Sequence, residues 1–140
     1  MSKLNSILVI DDNEIDFHLV KRHLIRSDFC EEVFHEEDGQ HALDFLNDWD
    51  HNRKIIKNHF PPALIILDIH MPTMNGHEFL DKYKLLREDE KYKETRVILY
   101  STTRDRDVEE SIEKYSFVLG HVSKHSSKDD LDGIRKLLES

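Results

Sequence analysis

Residues 64–76 read LIILDIHMPTMNG. Leu64 to Leu67, with Ala63 before them, form an apolar run of buried-strand length, and Asp68 stops it. A carboxylate at the rim of a core is costly unless something pairs with it. Asn75-Gly76 then marks a turn that opens a helix. The reading of the whole chain turns on what Asp68 meets at the end of that strand.

Other apolar runs of similar length are Ile7-Leu8-Val9-Ile10, Val97-Ile98-Leu99 and a weaker one around Gly120-His121-Val122. The half-polar stretch Glu32-Val33-Phe34-His35 supplies a fifth, less buried strand. Helical period links them. Ile15, Leu19, Val20, His23 and Leu24 share one face; Ala42, Leu43, Phe45, Leu46 and Trp49 share another. The spacing repeats in Phe79, Leu80, Tyr83 and Leu86, in Val108, Ile112 and Tyr115, and in Leu131, Ile134, Leu137 and Leu138. Strand and helix alternate five times, which predicts an α/β fold with five helices and a parallel sheet covered on both faces. Asp48 to Pro62 is expected to be a long polar link, and Leu85 to Glu94 an exposed helix end and loop.

The 140 residues suit one domain, residues 1–140 with a core of about 5–138. A net charge of −9 opposes nonspecific binding to DNA or anionic membranes, which needs a basic patch. No apolar stretch approaches the roughly 20 residues of a membrane span. With Cys30 as the sole cysteine, no internal disulfide forms; it reads as a small apolar residue near a helix end, and a cytoplasmic location is expected.

In an open parallel sheet, ligands bind beyond the carboxyl ends of the strands. Asp11 and Asp12 follow the first run, Asp68 the third, Ser101 and Thr102 the fourth, and Lys124 the fifth. Three carboxylates at close range repel one another unless a cation joins them. Oxygen ligands without a Cys or a regular His pair suit Mg²⁺. Together, a metal, an ammonium and a hydroxyl match a phosphoryl group, and Asp68 becomes its natural nucleophile.

Four motifs, VIDDNEID, LIILDIHMPTMNG, VILYSTT and HVSK, together resemble the receiver domain of two-component response regulators, over roughly Asn5 to Leu138. The resemblance implies a flavodoxin-like, doubly wound five-stranded sheet in the order 2-1-3-4-5. It implies that Asp68 accepts a phosphoryl group from a histidine kinase or a histidine phosphotransfer protein. Asp12 is then a direct Mg²⁺ ligand, Asp11 a ligand through water, and the His70 backbone carbonyl a further ligand beside Asp68. Ser101 and Lys124 hold the phosphoryl oxygens. Thr102, Thr103 and His121 join Ser101 at switch and tuning positions, and the His70 side chain is a further candidate for tuning phosphate hydrolysis. The first helix, Glu14 to Arg26, is where the resemblance puts the phosphodonor protein, with Phe17, Val20 and Lys21 as contacts. No output domain is expected after the last helix, so the chain would signal by docking to a downstream target not named by the sequence, or act as a phosphorelay shuttle. Enzymology is limited to self-phosphorylation and slow self-dephosphorylation.

Two departures stand out. His125 follows Lys124 where most receivers have proline and a cis peptide, which costs a non-proline residue about 2.5–4 kcal/mol. His121 stands at the switch position usually held by Tyr or Phe; an imidazole there can rotate and can respond to pH. The residue after the lysine, the Ser-Thr after the fourth strand and the long link before the third are similar to the small receivers that partner bacterial phytochromes.

Other readings compete. Taken singly, Asp11-Asp12 is a helix cap, Lys124 a solvated lysine, and Ser101-Thr102 a strand-end hydroxyl pair. A phosphorylation-independent interaction module would keep the fold and lose the switch. A phosphatase of similar topology would need a general acid two residues after the nucleophile, where His70 stands, and a cap domain. The ten histidines are scattered, and His121 and His125 flank a strand end, so no helical zinc face follows. Arg104 to Asp107 reads as a solvated helix start. The face of the fourth helix, fifth strand and fifth helix, carrying Tyr115, Phe117, His121 and Leu131, leaves a homodimer open.

Overall fold

The computed structural model describes residues 3–125 and 130–140. Five parallel strands, β1 (Ile7–Ile10), β2 (Val33–Glu36), β3 (Leu64–Leu67), β4 (Arg96–Ser101) and β5 (Val118–Ser123), form one sheet in the order β2-β1-β3-β4-β5. All four residues of β1 and of β3 are buried, as expected for inner strands covered on both faces.

Because side chains alternate along a strand, the sheet feeds two cores. Leu8, Ile10, Ile65, Leu67, Val97 and Leu99 pack against α2 (Gly39–Asn47), α4 (Gly76–Leu86) and α5 (Arg106–Lys114). Ile7, Val9, Leu64, Ile66, Ile98 and Tyr100 pack against α1 (Glu14–Arg26) and α6 (Asp130–Glu139). Buried Cys30 belongs to this second core and forms an isolated parallel bridge with Leu4.

Among the described residues six helices, not five, surround the sheet. The link expected between Asp48 and Pro62 contains α3 (Trp49–Ile55) and a 3-10 turn over Lys57–His59. Trp49 does not extend the apolar stripe of α2: the helix stops at Asn47, and Trp49 opens α3 instead. Its ring packs edge-on against Phe60 and Tyr92, and buried Asn52 donates to the Phe45 carbonyl at 2.6 Å. Those contacts come from remote segments, so no apolar period announced the helix. The segment after α4 is also less exposed than expected. It holds a 3-10 turn over Glu90–Tyr92, and Tyr92 is buried with its hydroxyl donating to the Leu46 carbonyl at 2.8 Å.

The buried face of α1 also differs from the expected one. Asp16, Phe17, Val20 and Leu24 face inward, whereas Ile15 and Leu19 are 72% and 41% exposed and His23 is exposed. Phe17, Val20 and Leu24 form an equally regular stripe, and the charge of Asp16 on it is matched from another element. Tyr115 and Leu131, expected on a dimer face, are buried within the chain itself.

The β3–α4 loop is closed tightly at Gly76. Its N–H donates to the Ile69 carbonyl at 2.9 Å, and a Cβ at Gly76 would stand 2.6 Å from the Ile69 Cα. Asn75 completes a capping box with Glu78. This closure fixes the backbone on which His70 lies.

Among the described residues, no helix is long and apolar enough to cross a membrane.

Candidate functional site: an acidic rim around one lysine

The strand order reverses between β1 and β3, which opens a crevice at their carboxyl ends. Sheet pairing runs one residue past each strand. The Asp11 N–H donates to the Glu36 carbonyl at 3.1 Å, the Asp68 N–H to the Ile10 carbonyl at 2.9 Å, and the Lys124 N–H to the Ser101 carbonyl at 2.8 Å. These bonds place two acids and the lysine side by side by register alone. The other oxygen of each acid is tied down locally: Asp11 Oδ1 accepts from the Asn13 N–H at 2.9 Å and Asp68 Oδ1 from the His70 N–H at 3.0 Å. His35 adds a brace, its Nε2 lying 2.8 Å from the Asp11 carbonyl and its ring stacked on Phe17.

Carboxylate oxygens of Asp11, Asp12 and Asp68 lie within 4.8 Å of one another, the first and last buried and Asp12 exposed. The Lys124 ammonium donates to Asp11 Oδ2 at 2.6 Å, to Asp16 Oδ2 at 3.1 Å and to Asp68 Oδ2 at 3.2 Å. Its side chain is only 4% exposed, so these contacts operate with little solvent screening. Burial works to lower the Lys124 pKa. The Asp11 hydrogen bond, the charges of Asp68 and Asp11 and the Asp16 hydrogen bond outweigh it, and the pKa is raised. The Asp11 pKa is raised as well: burial, which disfavours its charged form, outweighs the lowering effect of the hydrogen bonds from Lys124 and the Asn13 N–H. One ammonium does not neutralise three buried carboxylates, and the surplus negative charge suits a further cation. The donors are all hard oxygens, and two or three carboxylates with room for water fit Mg²⁺ better than a soft metal.

Asp16 is the residue that sequence reasoning missed. Its position in the first turn of a helix resembled any solvated acid; its burial at 7% exposure was the signal, and that is visible only in three dimensions.

Ser101 sits beside the rim, but its hydroxyl donates to the Thr103 carbonyl at 2.8 Å and lies 2.8 Å from His121 Nε2. Thr102 and Thr103 are exposed. The His70 imidazole stands 2.8 Å from Asp105 Oδ2, joining the β3–α4 loop to the N-cap of α5. The Lys124–His125 peptide is trans, since Phe60–Pro61 is the one cis bond among the described residues; His125 takes φ 58 instead. Of the expected donor-protein contacts, Phe17 and Val20 are core residues and Lys21 is exposed.

The model of the response regulator receiver domain matches residues 7–134. This chain belongs to that family. Receivers are signalling modules of two-component systems rather than enzymes in the usual sense, and they generally bind Mg²⁺ in an acidic pocket. The fold is similar to a two-component response regulator from Cytophaga hutchinsonii, with a TM-score of 0.77 and 28% identity over 99% of this chain and 100% of that one. It is similar to the bacteriophytochrome response regulator RtBRR, with a TM-score of 0.72 and 26% identity over 98% of this receiver and 79% of that chain. A probable methanogenesis regulatory protein, FilR2 of Methanothrix harundinacea, is 27% identical over 125 residues, 89% of this receiver and 75% of that protein.

Proposed function

We propose that this receiver accepts a phosphoryl group on Asp68 from a phosphohistidine of a histidine kinase or phosphotransfer protein, and signals through altered docking or a phosphorelay. The observation that carries the reading is the Lys124 ammonium, 3.2 Å from Asp68 Oδ2 at the edge of the Asp11, Asp12 and Asp68 cluster. An Asp68 oxygen attacks phosphorus, the bond to the donor imidazole breaks, and its electron pair returns to the ring nitrogen. Asp12 would hold Mg²⁺ directly, Asp11 through water, and Asp68 with the His70 carbonyl would complete the protein's share. When bound, the ion supplies charge neutralisation at the phosphoryl oxygens. Lys124 turns an N–H from Asp68 to one of those oxygens. The Ser101 hydroxyl leaves the Thr103 carbonyl to donate to another, and the contact with His121 breaks or re-forms with it. His121 is thereby the element that reports phosphorylation to the β5 face. Exposed Ile15, Leu19 and Lys21 on α1 offer a mixed apolar and basic surface to the donor protein.

The test is incubation with Mg²⁺ and acetyl phosphate followed by intact-mass measurement. A phosphate-sized gain that is lost in Asp68→Asn supports the proposal. No gain in a folded protein with any donor favours an interaction module, and sustained turnover of a phosphomonoester favours a phosphatase.

A further inference from the structure

We propose that Asp16 is a positioning residue, the seat on which the Lys124 ammonium remains when a divalent cation occupies the acidic cluster. The proposal rests on the phosphoryl-acceptor reading above.

An ammonium has three N–H donors, and Lys124 uses all three, on Asp11, Asp16 and Asp68. Two of those acceptors also belong to the cluster whose oxygens lie within 4.8 Å of one another; Asp16 does not. A cation drawn into the cluster competes with Lys124 for Asp11 and Asp68 and leaves the Asp16 contact untouched. The ammonium then pivots on Asp16 and presents its released N–H groups to the incoming phosphoryl oxygens, rather than being expelled into solvent.

Asp16 is built for a fixed rather than a mobile role. Its backbone N–H donates to the Asn13 side chain at 3.0 Å, which locks the first turn of α1. Its second oxygen, Oδ1, lies 3.0 Å from His125 Nε2. One carboxylate therefore grips two consecutive residues, Lys124 and His125, across a gap of more than a hundred positions. His125 stands in the left-handed region at φ 58, an uncommon conformation for a non-glycine residue, and the Asp16 contact helps hold it there. The carboxylate thus restrains the chain just after β5 while it restrains the ammonium.

The experiment uses the full chain with Mg²⁺ alone. The ¹⁵N signal of the Lys124 ammonium is followed by NMR during a Mg²⁺ titration, with thermal melting as a check on folding. Wild type is expected to keep a protected ammonium signal at saturating Mg²⁺. Asp16→Asn is expected to lose it as Mg²⁺ binds, and to take up phosphate from acetyl phosphate roughly tenfold more slowly, the scale of one hydrogen bond to a charged group. Asp16→Ser, smaller and also neutral, gives the same reading should the amide variant not fold. A signal that survives Mg²⁺ in the variants as in wild type, or that wild type itself loses, overturns the proposal; a lowered melting temperature with an unchanged signal does so too. No phosphodonor enters the titration, so failure of the acceptor reading shows separately, as a wild-type chain that gains no phosphate mass.

Discussion

The Ser101 hydroxyl, at the end of β4, and the His121 Nε2, two residues before the end of neighbouring β5, stand 2.8 Å apart. The single hydroxyl hydrogen of Ser101 goes to the Thr103 carbonyl, so the imidazole is assigned as the donor in that pair. Neutral His121 can satisfy this arrangement from Nε2 alone.

A pH dependence follows. Burial lowers the His121 pKa, and nearby Arg104 acts in the same direction. The folded state therefore favours the neutral ring. The His121 contribution is complete above the ordinary histidine pKa of about 6.5 and is lost as pH falls through the lowered folded value. Replacing His121 with Phe removes it. The drop in urea midpoint between about pH 7.5 and about pH 5 is expected to be smaller in His121→Phe than in wild type.

Mg²⁺ is expected to stabilise the folded chain, because the acidic cluster forms only there. At a hundredfold excess over its dissociation constant the gain is about 2.7 kcal/mol. For a chain of this size that raises the melting temperature by about 5–10 °C. In Asp12→Asn the same addition is expected to give a much smaller shift, measured by calorimetry with and without the ion.

Gly76 admits no side chain. A Cβ there meets the Ile69 backbone at 2.6 Å, and backbone yields less readily than a flexible side-chain tip. Gly76→Ala is expected to cost at least about 1–3 kcal/mol in urea denaturation, the usual range for overpacking. It should also weaken Mg²⁺ binding, since the His70 carbonyl rides on the same loop.

His70 and Asp105 tie the two loops that flank the mouth of the site, with both side chains partly exposed. Breaking the pair opens that mouth to water. His70→Ala is expected to shorten the lifetime of the aspartyl phosphate, by up to about fivefold, the scale of an exposed ion pair. Following the loss of phosphate mass after the donor is removed gives the rate, and a longer lifetime would contradict the clasp.

The strands and the order of polar groups beyond them were legible in the sequence, because each is a local pattern. Four apolar residues ending at Asp11 or Asp68 are a buried parallel strand with an acid at its carboxyl end, whatever else surrounds them. The fold then puts those ends in register, so Asp11, Asp68 and Lys124 come together without further instruction. The face of α1 was not legible: Ile15, Leu19 and His23 keep helical period as well as Phe17, Val20 and Leu24 do, and only the position of the sheet decides which stripe is buried. Nor was α3, whose single Trp49 finds its apolar partners in Phe60 and Tyr92.

The sequence by itself determined the sheet, the rim and the identity of the acids on it, since strand burial and termination depend on neighbours along the chain. The tertiary structure decided where the side chains on that rim point. Asp16 turns inward because an ammonium more than a hundred residues away needs a third acceptor, and Ser101 turns to His121 because β4 and β5 end side by side. Such pairings depend on distances across the fold, which no local pattern records.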